Sequence, residues 1–421
     1  MKERTRAHLR ERLQRLGTRK SAGRQRPPTT AQSAPPLDAI LNGREVVTAR
    51  GTFYLCEQRF DHEHVHGRYP LGRILSAPLP PLRHLLSPPN GHPCSVQHLA
   101  FLDTETLGLV GGTGTAIFLV SVGIVTEADI HVRQYFLRDL HEEPAMLEHL
   151  AHDLAHWDIC GLVTYNGRAF DIPLLETRFI LNAIPSPLND LAHLDLLVHT
   201  RRLWQPRLRR CSLAHVETHI LDHRRDMLDV PGWLVPTLYK EYLRTRDPRP
   251  LRQIFYHNLH DTLSLIALTD ILLRAWHDPW SEPALAPEDF VARAHYLLKA
   301  GEWEAAETSL RHALRHSIAP EHRRRAYASL GRLLKRQQRW KEALTVWQGW
   351  ITEFPEDLPP YEELAKYYEW RAHDLPLALD WTQRALDVIA RLRVPERARW
   401  EAAFHHRAAR LHRRIASQRG G

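Results

Sequence analysis

The stretch FLDTETLGL, residues 101–109, closes an apolar run with two carboxylates, Asp103 and Glu105, set two positions apart. Side chains alternate along a strand, so both acids leave the same face and could share a metal ion. A D-x-E pair also occurs by chance at surface turns. Here, though, it follows HLAFLD, which reads as a fully buried strand, where an unpaired carboxylate is expensive.

Working outward, AIFLVSVGIVT and IHVRQYFL read as a hairpin turning at Glu127-Ala128-Asp129. AMLEHLAHDLAHW has helical spacing, ICGLVTYN is another buried strand, and DIPLLETRFILNA is a helix. After LAHLDLL the chain reads helical to about Trp276. This alternation predicts an α/β domain with a mixed sheet flanked by helices. TYNGRAFD (164–171) puts Asp171 at the start of a helix, where it could simply cap backbone N–H groups. Asn166-Gly167 supplies a sharp turn before it. In FYHNLHD (255–261), on a helix, residues four apart lie about 40° apart around the axis. His257 and Asp261 therefore share a face, while Tyr256 and His260 turn elsewhere.

The order D-x-E on the first strand, N-G-x-x-F-D after a later one, and H-N-x-x-x-D on a late helix resembles the DEDD exonucleases of the ribonuclease H-like superfamily. LDTETLGLVGGTGTAIFLVSVG, SLAHVETHIL followed by DVPGWLVPTLYKEYL, and FYHNLHDTLSL look most like its YprB-type family. The resemblance implies a ribonuclease H-like fold and the ligand set Asp103, Glu105, Asp171 and Asp261. It also implies a metal-dependent nuclease, in the first place a 3′-to-5′ exonuclease on single-stranded DNA or RNA. Four hard oxygen donors suit two divalent cations, Mg²⁺ or Mn²⁺, which activate water and stabilise the leaving oxygen. Crowded carboxylates take up protons, so metal affinity should fall at low pH.

A general base is still required, and in the superfamily it is usually His or Tyr. One subclass has a histidine five residues before the last aspartate, another a tyrosine four before. This chain exchanges them, with Tyr256 five back and His257 four back. Helical geometry selects His257 as the base, with Tyr256 next and a structural His257 the third reading. Thr104 and Thr106 flank the acidic pair. Asn166 and Asn258 could bond phosphate or ligand oxygens. Arg201 and Arg202, within RRLWQPRLRR, are candidate backbone-phosphate contacts, against the reading of a solvated face. GLVGGTGT lacks the lysine of a phosphate-binding loop and reads as a turn.

Beyond DPWSEPALAPED (278–289) the chain is helical and repetitive. Trp303, Trp340 and Leu375 align, as do Ala306, Ala343 and Ala378, at spacings close to the tetratricopeptide period. Stacked helix pairs of that kind leave a concave surface suited to a protein partner.

The full chain of 421 residues carries a formal charge of +8, and residues 1–26 alone hold ten Lys/Arg against two Glu. The rest is neutral, so electrostatic attraction to nucleic acid is concentrated in the tail and in local patches. The tail reads either as a disordered leader or as a phosphate-binding arm. PPTTAQSAPP (27–36) is a linker, and REVVTARGTFYLCEQRF (44–60) suggests a hairpin around Arg50-Gly51. In DHEHVHG, His62, His64 and His66 would share one face of a strand, as metal ligands could, with no partner ligands nearby in sequence.

The four cysteines are dispersed and read as free thiols. No apolar run is long enough to span a bilayer and the N-terminus lacks a secretory signal, which points to the cytoplasm and no membrane partner. The expected organisation is a basic tail and linker over 1–38, a small β-containing segment over 39–96, a ribonuclease H-like domain over 97–277, and helical repeats over 285–421. The rival to a nuclease is a catalytically silent nucleic-acid-binding scaffold working through its repeats.

Overall fold

In the computed structural model, residues 34–78, 95–108, 115–391 and 396–419 are described. The basic tail 1–26, most of the second Pro-rich stretch and the centre of GLVGGTGT fall outside them.

Seven strands form one sheet in the order β1-β2-β7-β6-β5-β8-β9. They are β1 (Gly43–Thr48), β2 (Gly51–Phe60), β5 (Leu99–Thr106), β6 (Ile117–Val125), β7 (Ile130–Phe136), β8 (Gly161–Thr164) and β9 (Ala192–Asp195). A two-residue hairpin, β3 (Val65–His66) with β4 (Tyr69–Pro70), stands apart. The hairpin expected around Arg50-Gly51 forms, and its second strand pairs with β7, so the N-terminal segment extends the main sheet. Strand β6 is buried along its whole length, as its unbroken apolar run requires. Strands β5, β8 and β9 run parallel, which brings their C-terminal ends to one edge. In such sheets ligand sites collect at that edge.

Helix α1 (Glu143–His156) packs on β1, β2 and β7. Helices α2 (Asp171–Leu181) and α3 (Leu196–Leu208) follow β8 and β9. A short helix α4 (Leu213–Val216) runs on into a π-helix over Glu217–Leu221, and α5 (Val235–Thr245) precedes the 27-residue α6 (Leu251–His277). Helix α6 lies across β5, β6 and β7, and the close approach depends on Gly123. A Cβ there would sit 2.8 Å from Thr262 Cγ2. Buried polar groups fix the helix: Ser121 Oγ meets Thr262 Oγ1, and Gln134 Nε2 donates to the Phe255 carbonyl and to Asn258 Oδ1.

Among the described residues that follow, seven helices form: α7 (Asp289–Ala300), α8 (Trp303–Arg315), α9 (Pro320–Arg336), α10 (Trp340–Glu353), α11 (Leu358–Trp370), α12 (Leu375–Arg391) and α13 (Glu396–Arg419). Trp303, Trp340 and Leu375 each open the second helix of a pair, and Ala306, Ala343 and Ala378 are fully buried between helices. Alanine at these points allows helix axes to approach closely. The stack is tied to the first domain by Arg207, which grips Asp289 with Nε and Nη2, and by Arg293, which donates to the carbonyls of Ala275 and Trp276 at the end of α6.

Cys56 and Cys211 are free thiols, but Cys160 is disulfide-bonded, so the free-thiol reading fails there. Among the described residues no helix is long and apolar enough to cross a membrane.

Candidate active site

Asp103 and Glu105 lie on the last turns of pleat in β5, next to a bulge at Glu105/Thr106. Asp171 is the first residue of α2. The N-cap position belongs to Phe170 and carries no side-chain cap bond; the Asp171 carboxylate accepts from Thr104 Oγ1 and from its own backbone N–H at the helix start. The turn that aims Asp171 is sharp, with Asn166 at φ 69° and Gly167 so tight that a Cβ would lie 2.4 Å from Thr164 Oγ1. Asp261 comes from α6, which lies against the same strand end.

The four carboxylates press on one another. Burial, then the charges of Asp261, Glu105 and Asp171, push the Asp103 carboxyl well above its ordinary range. Burial pushes Glu105 up to about 8 despite the opposing pull of His257, and Asp261 adds to the rise. Burial likewise raises Asp171 to about 6, against the hydrogen bond from Thr104. Hard oxygen donors that repel one another in this way fit divalent cations, whose charge would relieve the repulsion.

His257 faces this group. Its Nε2 lies 3.6 Å from Asp261 Oδ2 and 3.9 Å from Glu105 Oε1, and its Nδ1 lies 2.7 Å from Asp229 Oδ1. Nδ1 also faces Arg225 Nη1, which can only donate, at 3.0 Å; the shorter contact with the acceptor-only Asp229 assigns the Nδ1 proton to that carboxylate, and Nε2 points to Asp261 and Glu105. Burial opposes the imidazolium, yet the Asp229 hydrogen bond and the charges of Asp261 and Glu105 outweigh it and raise the pKa above the usual histidine value. Tyr256 is turned away: its ring packs on His260 at 4.0 Å and its hydroxyl accepts from the Asp226 N–H.

The other expected contacts divide. Asn258 is fully buried, so it cannot touch a phosphate; it donates to Asp103 Oδ2 at 2.7 Å and holds that carboxylate in place. Thr106 donates to the Gly108 carbonyl, and Asn166 gives its backbone N–H to Asp195. Arg202 is spent partly on the face of Tyr296, and Arg207 of the same basic run is taken by Asp289. Arg201 is exposed on α3.

Three residues of the site escaped the sequence reading. Arg225 bridges Glu217 and Asp261 through Nη2, with its side chain only 8% exposed. Asp229 orients His257, and Asp195 accepts from the N–H groups of Asn166, Arg168 and Leu197, bracing the turn before Asp171. Asp195 closes β9 as Asp103 closes the apolar run of β5, so the rule that found one could have found the other.

A family model described as the RNase_H superfamily matches residues 100–273. The chain is also 34% identical over 329 residues to the Bacillus subtilis (strain 168) protein YprB, an alignment covering 76% of each chain. The chain belongs to the YprB family of the RNase_H superfamily. All four carboxylates and His257 fall inside the matched region. The YprB relationship, at 76% of the chain, is longer than the 174-residue domain match. It therefore takes in more than the sheet domain.

Proposed function

We propose that the chain is a divalent-metal-dependent nuclease that removes nucleotides from the 3′ end of single-stranded DNA or RNA. The observation that carries this reading is the convergence of Asp103, Glu105, Asp171 and Asp261 with a raised-pKa histidine at one sheet edge. These four carboxylates would hold two Mg²⁺ or Mn²⁺ ions. When bound, such ions supply an activated water and charge stabilisation at the leaving oxygen. The chain's own groups do the positioning. Asn258, itself held by Gln134, orients Asp103, and Thr104 orients Asp171. Arg225 balances the charge of Asp261 against Glu217.

His257 Nε2 is the atom assigned to take the proton of the attacking water, with Asp229 holding the tautomer that leaves it free. The histidine must be unprotonated to act, so its raised pKa makes the rate climb with pH. The stacked helices, of tetratricopeptide type on this reading, would present their surface to a protein partner.

End-labelled DNA and RNA oligonucleotides with Mn²⁺ test the proposal. Stepwise shortening from the 3′ end, abolished in Asp261→Asn, is the expected result. Cleavage of circular single strands would mark an endonuclease instead. Absence of both cleavage and Mn²⁺ binding would leave the scaffold reading standing.

A further inference from the structure

His66, His223 and His260 come from three distant segments, strand β3 of the β3-β4 hairpin, the loop after the π-helix, and α6, yet each offers a ring nitrogen within 4.8 Å of the others. His66 is buried and the other two are half-buried. The partner ligands that the sequence lacked around DHEHVHG are thus supplied through the fold. His62 and His64 take no part: His62 donates to the Thr126 carbonyl and His64 packs on Phe60.

We propose that these three histidines form a second metal site, one for a borderline transition ion such as Zn²⁺, distinct from the carboxylate site. Two ligand nitrogens about 2.0–2.1 Å from a tetrahedral ion lie roughly 3.3 Å apart. His223 Nε2 and His260 Nδ1 are 3.2 Å apart, hydrogen-bonded through one proton that the ion would displace. The proton positions also fit. Ser264 Oγ donates to Glu217, so the same oxygen accepts from His66 Nε2–H at 2.7 Å. That leaves the His66 Nδ1 lone pair unprotonated. Metal-bound histidines characteristically hand their other N–H to such an outer acceptor. The Arg225 cation nearby is matched by Glu217, Asp229 and Asp261, and Asp226 is also close to His260.

The hairpin carrying His66 is clamped to the π-helix, since Arg68 N–H donates to the Leu221 carbonyl and a Cβ on Gly67 would strike that oxygen at 2.1 Å. An ion held there would cross-link the β3-β4 hairpin, the π-helix loop and α6, one residue before Asp261. Imidazole nitrogens favour zinc-like ions, whereas carboxylates favour Mg²⁺ and Mn²⁺, so the two sites would sort their metals.

Chelator-stripped full-length protein held in excess Mg²⁺ and titrated with Co²⁺ provides the test, because tetrahedral nitrogen ligation gives Co²⁺ a strong visible absorption. One Co²⁺ per chain is expected, with binding weakened at least tenfold in His223→Ala and in the milder His223→Gln, and unchanged in Asp103→Asn. Melting curves identify any misfolded variant, and His223→Gln keeps the test intact if the alanine form unfolds. A wild-type protein without the absorption, or one whose absorption persists in folded His223 variants, overturns the proposal. So does loss of the absorption in Asp103→Asn alone. None of these readings depends on nuclease activity, so the two proposals fail separately.

Discussion

Acidic groups are buried in two parts of this molecule, with opposite charge balance. In the helical stack, Glu369 of α11 is fully buried and accepts from Arg407, Arg410 and Arg414 at 2.7–3.0 Å. These arginines lie three and four residues apart on one face of α13 and dock the last helix. At the sheet edge four carboxylates meet one arginine and one histidine, and three of the acids are forced above their ordinary pKa. The first arrangement favours folding as it stands. The second opposes folding, a cost that the proposed divalent cations would offset, and such a cost is the pattern expected where a site is kept for chemistry.

Breaking each side of this contrast should give different results. The largest effect is expected at the sheet edge: Asp103→Asn should lower nuclease rate on the order of 1,000-fold while leaving the fold intact, measured as initial cleavage rate beside a melting curve. His257→Ala should lower the rate by about 100-fold, whereas Tyr256→Phe should change it little, because only His257 faces the carboxylates. In the stack the outcome reverses. Glu369→Ala removes the carboxylate shared by three arginines, of which Arg407 keeps a 3.8 Å contact with Glu362, and should cost about 2–3 kcal/mol of stability by denaturant unfolding, with cleavage per folded molecule unchanged. The loss sits below that of a fully buried pair, since Arg410 and Arg414 keep about a third of their side-chain exposure.

The smallest effect is graded by pH. Asp171 at about 6 and Glu105 at about 8 bind protons in the folded state that the unfolded chain has already released. Their burial is therefore best tolerated below about pH 4, and metal-free stability declines as pH rises through 6 and 8. Metal must displace these protons, so Mn²⁺ affinity should rise with pH over that window by up to about tenfold per unit for each proton released, as read by calorimetric titration.

Most of the sheet was legible because its signals are local. Apolar runs marked β5 and β8, the first closing on Asp103 and Glu105, and a helical i, i+4 spacing brought His257 to Asp261. The same locality hid Arg225 and Asp229. They sit in LDHRRDMLDV, a polar loop without periodicity, and acquire meaning only when α6 folds back against it. For Asn258 the sequence left two readings, phosphate or ligand oxygens, and only the fold decides between them: α6 turns it into the sheet, where it bonds Asp103 and Gln134. The histidine cluster joins residues nearly 200 positions apart, beyond any spacing rule.

The central claim is that the sheet-edge carboxylates oppose folding until divalent cations compensate them. Melting wild type and Asp103→Asn at pH 8, each with and without Mn²⁺, tests it directly. The variant should melt above wild type without metal, and Mn²⁺ should raise wild type strongly and the variant little. A variant that melts below wild type without metal, together with a wild type indifferent to Mn²⁺, would contradict it.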